Sequence, residues 1–258
     1  MDASMKMRVL GCAGGIGGRE RLTTCLMVDH DILLDAGTGV SSLSLDELLQ
    51  IRHVFLTHSH LDHVAGLALL VDAAQIGKSG GITVHATQKV IDTLKKHLFN
   101  WVLWPDFAAI PNEQAPAMRW QAIEQDATLE VDGRLITPWP VNHTAGSSAY
   151  WVRTGSGGFL FTGDMGSTPA LWERVAGEAL LRQVIVDCSF VNAERALADM
   201  SLHFCPQTLV DDIRALPLHI EFLIYHLKPG QEDLIMRELA EEGSRPFRAI
   251  RCGDVFEY

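Results

Sequence analysis

The chain has 258 residues, of which 47% are hydrophobic and 21% charged, and its formal net charge is −11. Residues 1–258 are read as a single domain, long enough to bury a sizeable core; the acidic balance argues against nucleic acid as a partner, because phosphate binding draws its affinity from Lys and Arg. A small anionic ligand held by metal ions stays compatible, and with no apolar run long enough to cross a bilayer the expected location is cytoplasmic, with no membrane partner.

In chain order, Met7 to Leu10, Cys25 to Val28 and Ile32 to Leu34 read as short strands. Gly11 to Gly18 is rich in glycine but lacks the Lys-Ser/Thr ending and the following helix of a phosphate cradle, so it reads as a flexible turn near the mouth of a site. Ser44 with Glu47 forms a capping box that opens a helix. His53 to Leu56 is a buried strand, and Val64, Leu67, Leu70, Val71 and Ala74 fall at helical intervals in a helix over 64–76. Ile82 to Ala86 is a strand and Gln88 to Phe99 a helix. The stretch Trp101 to Trp120, with three prolines, shows no clear period, and so long a loop is usually functional or mobile. Further strands are expected at Tyr150 to Arg153, Phe159 to Thr162, Val184 to Val186 and Phe222 to Tyr225. Helices follow at Pro169 to Val175, Pro206 to Ala215 and Gln231 to Glu242, two of them opened by proline. The alternation is that of an α/β protein, with no repeat, low-complexity tract or linker. Cys12, Cys25, Cys188, Cys205 and Cys252 are odd in number and make no Cys-x-x-Cys pair, which argues against a disulfide framework or thiolate zinc site and leaves them as small core residues.

The chemistry concentrates in His58-Ser59-His60-Leu61-Asp62-His63, directly between the buried strand and the helix that follows it. Imidazole nitrogen and carboxylate oxygen are the usual non-thiolate ligands of zinc, and imidazole also suits iron. In an extended turn His58 and His60 point to one side, while Asp62 and His63 face elsewhere at the helix start, so that one turn can serve two metals. A turn alone cannot fill two coordination spheres. His143, Asp164 and His226, each at or just after a strand-like run, are the candidates to complete them.

On these residues the chain resembles a metallo-β-lactamase-fold hydrolase, whose His-x-His-x-Asp-His hallmark it meets in full. The resemblance implies a four-layer αββα sandwich with the site at one edge. It further implies that His58, His60 and His143 hold one divalent ion, Asp62, His63 and His226 a second, and that Asp164 bridges them. Zinc is the expected metal, with manganese or iron as alternatives. Asp35 fits the family's pattern as a carboxylate orienting the histidine turn; its other reading is a turn aspartate.

Within that superfamily the chain is most similar to the class II 3',5'-cyclic-nucleotide phosphodiesterases. Leu61 and Gly66-Leu67 around the histidine motif carry the likeness, with Phe99-Asn100 and Trp104-Pro105, and with Asp187-Cys188-Ser189, His203-Phe204-Cys205-Pro206 and His226-Leu227-Lys228-Pro229. Val71-Asp72-Ala73 departs from the Ser-Pro or Ser-Ala pair of that group. The resemblance implies hydrolysis of a small anionic cyclic phosphodiester to a 5'-nucleotide, by attack of a water that bridges the metals and loses its proton near neutral pH. Asp62 then acts within the catalytic centre, and His203 is the candidate proton donor to the leaving oxygen or a phosphate contact, if not an ordinary loop histidine. Lys228 could neutralise phosphate or simply be solvated. Asn100 and Trp104, with Phe99 and Trp101, offer a surface for the base; the same aromatics suit a core or a homodimer contact. Competing readings are a tRNA 3'-processing endonuclease, a lactonase, thioesterase or β-lactamase of the same fold, and a non-catalytic metal- or nucleotide-binding module.

Overall fold

Two sheets of seven strands each form the centre of the computed structural model, which describes residues 4–76, 81–242 and 245–258. The first sheet holds β1 (Lys6–Gly11), β2 (Cys25–Val28), β3 (Ile32–Leu34), β4 (His53–Phe55), β5 (Ile82–Ala86) and β6 (Met118–Ala122) in that order, with β14 (Val255–Glu257) outside β1. The second runs from β7 (Leu129–Val131) through β8 (Arg134–Pro140), β9 (Ser148–Arg153), β10 (Gly158–Phe161), β11 (Leu181–Asp187) and β12 (Glu221–Tyr225) to β13 (Phe247–Ala249). Both sheets follow the same plan, three antiparallel pairings and then three parallel ones. Parallel strands need crossovers and covered faces, which is where the helices sit.

Three apolar clusters separate four layers. Val54, Ile82, Val84 and Leu70 pack the first sheet against α1 (Leu45–Leu48), α3 (Leu67–Ile76) and α4 (Gln88–His97). Leu160, Val184, Ile224, Leu209 and Leu239 pack the second against α5 (Pro169–Gly177), α7 (Pro206–Ile213) and α8 (Glu232–Glu242). Between the sheets lie Met7, Leu34, Phe55, Phe161, Ile185 and Leu223. β11, for example, sends Val184 and Val186 to its helices and Ile185 to the other sheet, the two-residue alternation of a strand buried on both faces. The αββα sandwich is therefore the observed fold.

Several boundaries differ from those read in the sequence. The helix expected over 64–76 is broken into α2 (Leu61–Val64) and α3, because the Gly66 N–H turns to the Ala36 carbonyl at 2.8 Å, and a Cβ at Gly66 would meet the Gly37 oxygen at 2.5 Å. β6 begins in the last residues of the stretch read as a long loop and runs past it, hidden by its partly polar, outer-strand sequence MRWQA. β8 was obscured by Pro138 and Pro140, and the three-residue strands β7, β13 and β14 are too short to show a period. Among the cysteines, Cys25, Cys188 and Cys205 are core residues as expected, but Cys12 is half-buried and Cys252 exposed.

Candidate metal centre

The carboxyl ends of the parallel strands converge on one edge of the sandwich, where open α/β sheets place their sites. β3 leads into Asp35, β4 into His58, β10 into Asp164, β11 ends at Asp187 and β12 leads into His226. The sheets are stitched together at this edge: the Tyr150 hydroxyl donates to the Leu56 carbonyl at 2.7 Å, and the Ser148 amide to Thr57 at 3.0 Å. The Gly163 backbone stands so close to Thr57 that a Cβ would come within 2.8 Å of its side chain, and its φ of +61° is one that glycine adopts freely. That approach sets Asp164 beneath the histidine turn.

Two groups of side chains result. In His58, His60, His143 and Asp164 one ligand atom from each lies within 4.8 Å of the others, and the same holds for Asp62, His63, Asp164 and His226. Asp164 belongs to both, its Oδ2 being 3.7 Å from His58 Nε2, 3.3 Å from His226 Nε2 and 3.9 Å from His143 Nε2. Its other oxygen accepts from the Tyr225 hydroxyl at 2.9 Å and faces His63 Nε2 at 3.2 Å. His60 caps α2, whose first turn carries Asp62 and His63.

A second ring of partners fixes which nitrogen faces inward. The Thr57 hydroxyl gives its proton to Asp35 at 2.8 Å and its amide does the same at 2.7 Å, so the hydroxyl oxygen accepts from His58 Nδ1 at 2.9 Å. Asp35 also accepts from His63 Nδ1 at 2.7 Å. His143 Nδ1 donates at 3.0 Å to the carbonyl of Leu202, the residue that ends α6 (Arg195–Ser201). Ser189 gives its hydroxyl proton to Asp187 at 2.5 Å and accepts from His226 Nδ1 at 2.7 Å. With Nδ1 engaged in each of these four rings, Nε2 is the nitrogen turned toward Asp164. His60 presents Nδ1 instead, 3.1 Å from His143 Nε2.

This arrangement fits a divalent metal on its own evidence. His58 Nε2 is fully buried and has no hydrogen-bond partner, an orphan that a folded protein rarely leaves. Converging imidazoles about a buried carboxylate are the donor set of zinc and similar ions. The charges agree: burial holds the His58 and His143 imidazoles below their ordinary range, hence neutral. At His63 burial acts the same way, but the Asp164 and Asp35 carboxylates outweigh it and raise its pKa. Burial favours a neutral Asp164, yet His226 and His63 overcome it and keep the carboxyl ionised.

His203 stands beside this centre, stacked on His226 with ring centroids 5.2 Å apart and edge-on to His143 at 5.0 Å. Its Nδ1 donates to Asp187 at 2.6 Å. Burial disfavours a charged ring there, but Asp187 overrides that cost and the pKa is raised. Lys228 lies near this pair; its Nζ donates to the Gly14 carbonyl at 2.8 Å and sits 5.5 Å above the Phe190 ring, which also meets His203 edge-on. Gly11 to Gly18 does reach the centre, since a Cβ at Gly14 would meet the His226 carbonyl at 2.3 Å.

Asn100 and Trp104 are placed differently from the rest. The Asn100 amide oxygen accepts from Val102 and Leu103 at 3.0 and 2.8 Å, while its nitrogen donates to Lys96, so it closes its own loop. Trp104 packs on the core beneath the first sheet. Neither hydrogen-bonds or stacks with the histidine cluster. Conversely, Asp187, Ser189, Tyr225 and the Leu202 carbonyl were not singled out as site groups. Only Asp187 and Ser189 carried a signal, as part of the short motif after β11.

The fold and this centre define the class: a metal-dependent hydrolase of metallo-β-lactamase architecture. Residues 30–226 match the model of the beta-lactamase superfamily domain, and the chain belongs to that family. More particularly, it is 30% identical over 251 residues to a 3',5'-cyclic-nucleotide phosphodiesterase of Schizosaccharomyces pombe, covering 81% of this chain and 70% of that one. The structure of unliganded yeast PDE1 superposes with a TM-score of 0.80 at 18% identity, over 96% of this chain and 98% of its own. Endoribonuclease YSH1 of Yarrowia lipolytica is 28% identical over 171 residues, which is 57% of this chain and 20% of the larger protein.

Proposed function

We propose that the chain, acting as one domain, is a dinuclear phosphodiesterase that opens 3',5'-cyclic nucleotides to 5'-nucleotides. The observation that carries this reading is the pair of ligand groups sharing Asp164, with the His203–Asp187 pair alongside. His58, His60 and His143 would hold one ion, Asp62, His63 and His226 the other, and Asp164 would contact both. When bound, two such ions supply Lewis-acid stabilisation to the attacking and departing oxygens and lower the pKa of water, with zinc suited to these donors and manganese or iron compatible.

The chain's own residues do the rest. Water adds to phosphorus, the bond from phosphorus to the 3' oxygen breaks, and that oxygen needs a proton. With Nδ1 engaged by Asp187, His203 is left to deliver one from Nε2. Lys228 offers a cation near the mouth for the phosphate. The carboxylates that position the histidines are buried, which excludes them from acting on substrate directly. A small anionic diester suits this centre better than an RNA, since the net charge of −11 provides no general attraction for a polyanion. A reducing, cytoplasmic setting is the reading that an odd cysteine count with no Cys-x-x-Cys pair favours.

The test is a turnover panel with the metal-loaded protein on cyclic AMP, cyclic GMP and an unactivated RNA. Release of 5'-nucleotide from either cyclic substrate is expected. RNA cleavage with both cyclic nucleotides untouched would overturn the substrate assignment in favour of the endoribonuclease reading. Asp62→Ala is expected to abolish turnover while leaving the circular-dichroism spectrum intact.

A further inference from the structure

Near the end of the chain, the turn at residues 250–254 docks onto the end of β1. The Gly253 amide donates to the Val9 carbonyl at 2.8 Å and the Val9 amide to Asp254 at 2.9 Å, while Asp254 closes the turn on Arg251 at 3.0 Å. This clamp brings two cysteines 240 positions apart in sequence onto the wall of one cavity, with the Cys12 thiol 3.4 Å from the Ile250 carbonyl. Hydrogen bonding from Cys12 and from nearby backbone amides favours the thiolate form of Cys252. Converging N–H donors stabilise a thiolate.

The two thiols are not equivalent. Cys252 is exposed and its pKa is brought down to about 6, first by the hydrogen bond from Cys12 and then by the amides. Cys12 is half-buried and is pushed the other way, so it remains the protonated donor. The Cys12 thiol also has the Ile250 carbonyl 3.4 Å away, an acceptor it can use when Cys252 does not take its proton. Both line a cavity of about 550 Å³ with Arg21 and Arg251, open enough for a small reagent. Cys25, Cys188 and Cys205 are buried, and burial raises the pKa of the first two.

We propose that Cys252 is a peroxide-reactive thiolate and Cys12 its resolving partner, together a reversible redox site that the hydrolytic reading does not use. In the first step the Cys252 sulfur attacks a hydroperoxide: an S–O bond forms, the O–O bond breaks, and hydroxide or alkoxide leaves, giving a sulfenic acid. In the second the Cys12 sulfur, as it loses its proton, attacks the Cys252 sulfur; the S–O bond breaks and water leaves with that proton, giving the disulfide. Sulfur is oxidised and peroxide oxygen reduced. A thiol reductant reverses the sequence.

The experiment exposes the full, metal-loaded chain to graded hydrogen peroxide, followed by peptide mapping with and without dithiothreitol. The expected result is a mass loss of two hydrogens, a single cross-linked peptide joining Cys12 to Cys252, and full recovery on reduction. Cys12→Ser should stop at a Cys252 sulfenic acid that dimedone traps; Cys252→Ser should leave Cys12 unmodified. The proposal is overturned if the wild-type chain keeps Cys12 free while Cys252 is over-oxidised, if Cys252 forms only intermolecular disulfides, or if neither cysteine reacts at doses that oxidise free glutathione. The wild-type map decides even if a variant fails to fold.

Discussion

At the scale of single residues, the centre depends on groups that never face substrate. Asp35 organises Thr57, His58 and His63 at once, so Asp35→Ala is expected to weaken metal affinity about 10- to 100-fold, read by calorimetric titration of the metal-free protein. Asp187→Asn should lower kcat on a similar scale by loosening His203 and, through Ser189, His226; unchanged turnover would remove Asp187 from the centre. A separate cluster governs acid stability. Burial pushes the Asp31 carboxyl up, but the two bonds from Arg134, at 2.6 and 2.8 Å, outweigh it and hold the pKa below its ordinary 3.8. A depressed carboxyl stabilises the fold above that value, and the contribution fades as pH falls through the folded pKa. Asp31→Asn should therefore cost about 3 kcal/mol near neutrality, by leaving Arg134 with only Asp29 and Asp132, and should flatten the loss of Tm between neutral pH and about pH 3.

Elements were legible where they carry their own period or punctuation. Ser44 and Glu47 do form the capping box, the Ser44 hydroxyl accepting from the Glu47 amide at 3.3 Å while the Glu47 carboxylate accepts from the Ser44 amide at 2.8 Å. Ser44→Ala is expected to cost about 1 kcal/mol by urea denaturation. Proline marked the starts of α5 and α7. What stayed hidden depended on neighbours distant in sequence: the break at Gly66 follows from Ala36 and Gly37, and β6 exists because β5 pairs with it. The converging histidines and aspartates were readable because they are compressed into one motif followed by three positions at or after strand ends. Their supports were not, since a backbone carbonyl at Leu202 or a tyrosine hydroxyl at Tyr225 has no sequence signature. At Gly163 the close approach to Thr57 makes an alanine costly by about 1–2 kcal/mol from its φ alone, and Gly163→Ala should reduce turnover more than stability by displacing Asp164.

For the molecule as a whole, the two sheets are held by apolar packing between them and by polar stitches at the site edge. Phe161 is fully buried in the inter-sheet cluster, and Phe161→Ala is expected to cost about 3–5 kcal/mol. Metal removal should be visible on the same scale: a chelator is expected to lower Tm, and a divalent ion at a hundredfold excess over its Kd to restore about 2.7 kcal/mol. A Tm insensitive to chelator would count against a metal bound in the folded state.

The histidines at 58, 60 and 63 belong to the first sheet, whereas His143, Asp164 and His226 come from the second, the last of them after β12. During synthesis the first half of the chain emerges long before its counterparts exist. A ribosome-bound chain that stops short of residue 226 can display metal-binding side chains but cannot finish either the shared carboxylate's surroundings or the second ligand group. Metal capture in its final form therefore waits for the closing strands, and acquisition of activity should report the end of assembly rather than its beginning.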